Sequence, residues 1–216
     1  MATRATRTPK LEIPAVNGSG ITGVILAGGL GRRMGSIDKG LQDLDGRPMI
    51  VWVVERLGAQ VDELLINANQ NIERFATFGH RVVPDRIPDF AGPLAGLHAA
   101  LSVATHPLVA TAPCDSPFLP TDLVSRLSEA LTASGADLAV ARTGERPQPV
   151  FCLCRRDVLP HLTNFLDKGG RRMDRWFAAL RVVEVAFDDQ PDAFANINTA
   201  EDLKRCRSSL ATAARS

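Results

Sequence analysis

Several things are missing from the chain of 216 residues. No apolar run approaches the ~20 residues that a membrane helix needs. Charge of one sign is not in excess: 25 Lys and Arg face 24 Asp and Glu, for a net of +1. No global field therefore draws the chain to nucleic acid or to anionic lipid, and any anion must be held by a local site. Cysteine is scarce, with Cys114, Cys152, Cys154 and Cys206 only. Cys152 and Cys154 would share one face of a strand. No second pair or nearby histidine completes a zinc spacing, so buried thiols in a reducing cytosol are expected. His80, His98, His106 and His161 are scattered and read as structural. No Ser/His/Asp or Cys/His constellation is apparent.

The first twenty residues carry Arg4, Arg7 and Lys10 against Glu12 alone. They lack the apolar middle of a secretory signal. A disordered tail over 1–20 is expected, an organelle-targeting peptide being the alternative. A length of 216 residues suits one domain, placed at 21–210, with a short tail at 211–216.

What is present alternates. Apolar runs at Ile21–Ala27, Glu63–Ala68, His80–Val83, Leu108–Ala112, Asp137–Ala141, Pro149–Cys154 and Val182–Phe187 read as strands. Helical spacing joins Ile50, Val53, Val54 and Leu57, with Pro48 suited to a first helical position. Further helices are expected at Asn71–Phe78, from Pro93, at Thr121–Ala133, at Asp157–Lys168 and at Arg172–Leu180. Asp45-Gly46 marks a turn, and Thr199 with Asp202 would open a last helix. Strands alternating with helices predict an α/β fold, a mostly parallel central sheet with helices on both faces. Ligands then gather beyond the carboxyl ends of the strands.

The loop after the first strand, "AGGLGRRMGSIDKGL", is rich in glycine and base. Gly29-Leu30-Gly31 begins a dinucleotide fingerprint, but its sixth position is Met34. Lys39 is preceded by Asp38, which rules out a P-loop. Gly28 and Gly29 nevertheless leave main-chain N–H groups open to a ligand, and Arg32, Arg33 and Lys39 supply positive charge. The alternative is a tight turn with solvated basic side chains. Asp115 ends the strand "LVATAPCD" on the same edge and could hold magnesium or shape a turn. Asn67, Asn69 and Asp85 follow the second and third strands. A carboxylate accepts from the adjacent ring N–H and amino group of guanine, whereas adenine sets an acceptor there. Asp85 could thus select guanine; an ordinary solvated turn suits its neighbours equally.

These stretches, together with "DGRPMI", "GPLAGLHAAL", "APCDSPFLP" and "FANINTAEDL", run in order from Gly23 to Leu203. They resemble the molybdenum cofactor guanylyltransferases, within the nucleotidyltransferases of Rossmann-like GT-A fold. The resemblance implies transfer of GMP from GTP to the phosphate of molybdopterin, with magnesium as cofactor and pyrophosphate released. It places Leu26, Ala27, Gly28, Gly29 and Lys39 on the nucleotide, with Asn67 and Asp85. Asp115 would bind magnesium beside the triphosphate and Arg33 would sit against the phosphates. Asn196 and Asn198 match positions near the pterin. Ser36 stands where many relatives have glycine. Arg171 and Arg172, in "KGGRRMDRW", would meet the acceptor or simply start a basic surface helix. A monomer in the cytoplasm is expected, touching other molybdenum-cofactor proteins in passing, with no nucleic-acid or membrane partner. A relative using CTP or another nucleotide with a different acceptor, and a non-catalytic pterin carrier, are the competing readings.

Overall fold

The computed structural model describes residues 20–28, 38–87, 92–197 and 201–202. Gly29, Arg32, Arg33, Ser36, Asn198, Thr199, Cys206 and both expected tails (1–19 and 211–216) lie outside the described residues.

The chain opens with β1 (Ile21–Leu26). A 3-10 turn at Lys39–Leu41 follows, then the short strands β2 (Asp43–Leu44) and β3 (Arg47–Pro48). These two form a hairpin whose turn residues, Asp45 and Gly46, both have positive φ, at 56° and 78°. Asp-Gly suits that mirror-image turn because its twist matches the strands. Pro48 does not begin the helix: its ψ of 136° is extended, it pairs with Asp43, and α1 runs Met49–Gly58. Next come β4 (Glu63–Asn67), α2 (Ile72–Ala76), β5 (Arg81–Val83), α3 (Pro93–Val103) and β6 (Leu108–Pro113). The chain continues with α4 (Leu123–Ser134), β7 (Leu138–Thr143), β8 (Arg146–Arg155), α5 (Leu159–Asp167), α6 (Met173–Phe177) and β9 (Val182–Ala186).

Seven strands form one sheet in the order β5-β4-β1-β6-β8-β7-β9. The sheet is parallel except for β8, which runs antiparallel to both β6 and β7. The two strands expected in succession, at Asp137–Ala141 and Pro149–Cys154, are β7 and β8. β7 and β8 follow each other directly through Gly144 at φ 55°, a hairpin that needs no crossover helix.

The period of two along each strand divides the core. Ile21, Ile25, Leu64, Ile66, Ala110, Ala112, Phe151 and Leu153 meet α1, α2 and α4 on one face. Val24, Leu65, Val109, Val140, Cys152 and Cys154 meet α3, α5 and α6 on the other. Cys152 and Cys154 do share a face, fully buried and free, and burial pushes both thiols up, Cys152 to about 12. Along α3, Leu94 through Leu101 are buried without exception. A helix sandwiched between sheet and α5 has no wet face, so it is apolar all round rather than striped.

Glu63 fastens the amino edge of the sheet. Its Oε2 accepts from Thr22 Oγ1 at 2.6 Å, Thr105 N at 2.9 Å and Thr105 Oγ1 at 2.8 Å. Burial pulls its carboxyl pKa up, but these bonds and nearby His106 outweigh that and hold it below the ordinary 4.5. On acidification the unfolded chain takes the proton first, so this stabilisation is complete above pH 4.5 and lost as pH falls through the lowered value. Glu63→Gln should therefore cost about 1 kcal/mol at neutral pH. In denaturant melts of the two proteins the difference should shrink as pH falls below the carboxylate range.

Candidate active site

Four parallel strands end on one edge, and the ladder runs a residue past them before the chains splay. Ala27 N donates to Asn67 O at 2.8 Å, Cys114 N to Leu26 O at 3.1 Å and Ala68 N to Val83 O at 3.3 Å. Beyond those bonds lies a cavity of about 380 Å³. Leu26, Ala27, Gly28, Lys39, Asn67, Asp85, Asp115 and Asn196 all line it, as do Asp38, Gly92, Pro93, Cys114 and Val150. Residues called from distant parts of the chain thus converge on one cleft.

Asp115 sits just past β6 and is 8% exposed. Its Oδ2 is 3.2 Å from Lys39 Nζ, so each holds the other's charge inside the cleft. Its carbonyl accepts from Ile197 N at 2.8 Å, and the next residue, Ser116, donates from Oγ to Asn196 Oδ1 at 2.6 Å. These two bonds stitch the segment around Asn196 onto the Asp115 turn and bring Asn196 to the cavity wall.

On the opposite side, Asn67 is 2% exposed and donates to Val83 O at 3.0 Å and Asp85 Oδ1 at 2.8 Å. Glycine makes room for it. A Cβ on Gly28 would lie 2.9 Å from Asn67 Oδ1, and one on Gly96 only 2.3 Å. The amino end of α3 opens into the same cleft through Gly92 and Pro93. Unpaired N–H groups and the helix dipole make such an end attractive to an anion.

Asp38 was overlooked as a cleft residue, although its place beside Lys39 was a usable signal. Burial raises its carboxyl pKa, partly opposed by a hydrogen bond from Asn71 Nδ2 at 3.2 Å. Cys114 lines the cavity but makes no nucleophile: burial, Asp115 and Asp38 push its thiol well above the ordinary value. Gly96 and Val150 escaped the sequence reading as site residues, and nothing local marks them, since their role comes from neighbours on other elements; Asn69 was marked as a polar loop residue but given no role. Arg171 and Arg172 do not line the cavity. Arg171 donates to the carbonyls of Leu166 and Gly170, and Arg172 pairs with Asp174 at 2.6 Å.

The donor set suits a hard divalent cation such as magnesium: Asp115 offers carboxylate oxygen and Asp38 lines the same wall. Among the described residues no group of three His, Cys, Asp or Glu side chains could hold a metal by itself. Magnesium is commonly bound in this way, by one or two carboxylates completed by substrate phosphate and water.

A mostly parallel sheet with Gly28, Lys39 and Asp115 gathered at its carboxyl edge has the make-up of a nucleotidyltransferase site. Residues 23–184 match the model of the MobA-like NTP transferase domain. The chain is 53% identical over 189 residues to the molybdenum cofactor guanylyltransferase of Cupriavidus necator, covering 85% of this chain and 94% of that one. It is 52% identical over 196 residues to the protein of the same name from Ralstonia nicotianae, covering 87% and 96%. In fold it is similar to the molybdopterin-guanine dinucleotide biosynthesis protein A of Archaeoglobus fulgidus. The TM-score is 0.74 at 24% identity, over 88% of this chain and 99% of that one. The chain belongs to the molybdenum cofactor guanylyltransferase family, and it is an enzyme of the nucleotidyltransferase class.

Gly96→Ala tests the packing. Alanine gains about 1 kcal/mol of helix preference, which offsets part of the ~1–3 kcal/mol of overpacking. Thermal melting should therefore fall by a few degrees, about 2–4 °C for each kcal/mol left uncompensated. Displacement of Asn67 should weaken nucleoside triphosphate binding about tenfold, a loss of ~1.4 kcal/mol, measurable by titration calorimetry.

Proposed function

We propose that this enzyme transfers GMP from GTP to the terminal phosphate of molybdopterin, forming the guanine dinucleotide of the cofactor and pyrophosphate. The observation that carries this reading is the convergence of Asn67, Asp85, Lys39 and Asp115 on one cavity. The names of the relatives agree with it. An acceptor phosphate oxygen attacks the α-phosphorus, a new P–O–P bridge forms, and the α–β bond breaks with its electron pair leaving on pyrophosphate. The acceptor is already an anion at neutral pH, so no general base is needed, in keeping with a cleft free of catalytic histidine among the described residues.

The protein's work is alignment and charge neutralisation. Asp85 accepts from the ring N–H and amino group of guanine. Asn67 holds Asp85 in place, and the main chain at Leu26, Ala27 and Gly28 lets the nucleotide approach closely. Lys39 turns from Asp115 towards the phosphates, where the amino end of α3 also draws negative charge. Asp115, with Asp38 at hand, would hold magnesium. The ion, when bound, withdraws charge from the phosphate oxygens of the nucleotide. Asn196 serves the pterin side. Gly29, Arg33 and Asn198 are assigned to the same cleft on family resemblance. Arg171 and Arg172 reach the acceptor only if they leave their present local bonds.

Incubation with each labelled nucleoside triphosphate, magnesium and molybdopterin should yield a guanine dinucleotide above all others. Preferential CTP turnover would reject the base assignment. Asp115→Ala should lower GMP transfer about a hundredfold or more while circular dichroism shows the fold intact. Undiminished turnover in that variant would overturn the mechanism, whereas pterin binding without GMP transfer by the wild type would favour a carrier.

A further inference from the structure

Asp85 is held from both sides. Asn67 Nδ2 donates to its Oδ1 at 2.8 Å, and Asn69 Nδ2 donates to its Oδ2 at 2.8 Å. Asn69 does more: its Oδ1 accepts from Asp85 N at 2.8 Å, and its Nδ2 also donates to Gly28 O at 3.2 Å. The orientation of this amide is determined. Rotating it by half a turn would set its oxygen against a carboxylate oxygen and a carbonyl, and its NH₂ against an N–H.

We infer that Asn69 is a specificity-positioning residue, which aims the Asp85 carboxylate at the base and ties it to the phosphate loop at Gly28. The inference rests on the reading of Asp85 as the guanine acceptor. A carboxylate oxygen has two lone-pair directions, and each oxygen of Asp85 spends one of them on an asparagine amide. The remaining pair of directions is thereby set in one plane, as two parallel acceptors. That is the pattern matched by the adjacent N–H and NH₂ of guanine. A carboxylate bonded by Asn67 alone would rotate about its Cβ–Cγ bond and accept one donor as readily as two. Discrimination is greatest where a site's polar groups are left unpaired by the wrong ligand, and that requires the groups to stay in position.

The bond to Gly28 adds a second consequence. Gly28 lies just past β1 on the wall of the cleft, and the same amide nitrogen serves its carbonyl and the carboxylate of Asp85. Asn69 therefore fixes the distance between the base end and the phosphate end of the nucleotide site. It touches neither the reacting phosphorus nor the metal aspartate, so its loss falls on binding and choice of nucleotide rather than on the chemical step.

The test compares kcat and KM for GTP, ATP and ITP in the wild type, Asn69→Ala, Asn69→Leu and Asp85→Ala, with thermal melting of each. ITP lacks the amino group of guanine. In both Asn69 variants the preference for GTP over ITP and ATP should fall at least tenfold, through a higher KM for GTP, with kcat within threefold of the wild type. Asn69→Leu keeps the side chain's bulk, so agreement between the two variants separates lost bonding from lost packing. An unchanged GTP preference in either folded variant overturns the inference while leaving the role of Asp85 standing. If the wild type shows no GTP preference, or Asp85→Ala retains it, the base assignment falls and the inference with it. A loss confined to kcat also overturns it.

Discussion

The Asp85 end of the cleft depends on one buried amide. A side-chain amide removed from water is costly unless its hydrogen bonds are replaced. Asn67 is 2% exposed and meets that demand by bonding Val83 O and Asp85 Oδ1. To do so it must lie flat across the ends of β1, β4 and β5, in the space that Gly28 and Gly96 leave empty. Gly96 on α3, Gly28 after β1 and the placement of Asp85 fit the seating of that amide. That half of the cleft is thus held by packing of the core rather than by surface side chains.

The other half is assembled differently. Asp115 comes from β6, but its turn is pinned by Ser116 and Ile197 to a segment eighty residues later. Val150 reaches the same cavity because β8 runs against its neighbours, so that an early residue of that strand comes to the edge where the parallel strands finish. The cleft therefore has a wall from the first half of the chain and a wall from the second, with Lys39 and Asp115 facing each other between them.

The strands and the helices around them were legible because their apolar periods are unmistakable: Leu123, Val124, Leu127 and Leu131 are buried together on α4, as their spacing requires. Lys39, Asn67, Asp85 and Asp115 were legible because each polar side chain stands at or just past the end of a strand or glycine loop. What escaped was whatever depends on partners far along the chain. Pairing direction leaves no local mark, so β8 read as one more strand. Gly96 looks like any helical glycine until Asn67 is placed beneath it, and Asn69 looks like a loop residue until Asp85 arrives sixteen positions later. Arg171 and Arg172 show the reverse failure: charge was visible, but the carbonyls and Asp174 that occupy it were not.

An amide at position 69 also sets a limit on the lifetime of the site. Asparagine is among the thermolabile residues, its side chain hydrolysing slowly to a carboxylate. Such ageing at Asn69 would change the chain by little in mass and shape, yet it would replace a donor with a negative charge beside Asp85, where 2.8 Å now separates the two groups. The paired acceptors would be driven apart while Lys39 and Asp115 remained untouched. If Asn69 aims Asp85 as inferred, the enzyme would then lose its discernment before it lost its chemistry, and an old preparation would be less selective than a fresh one of equal fold.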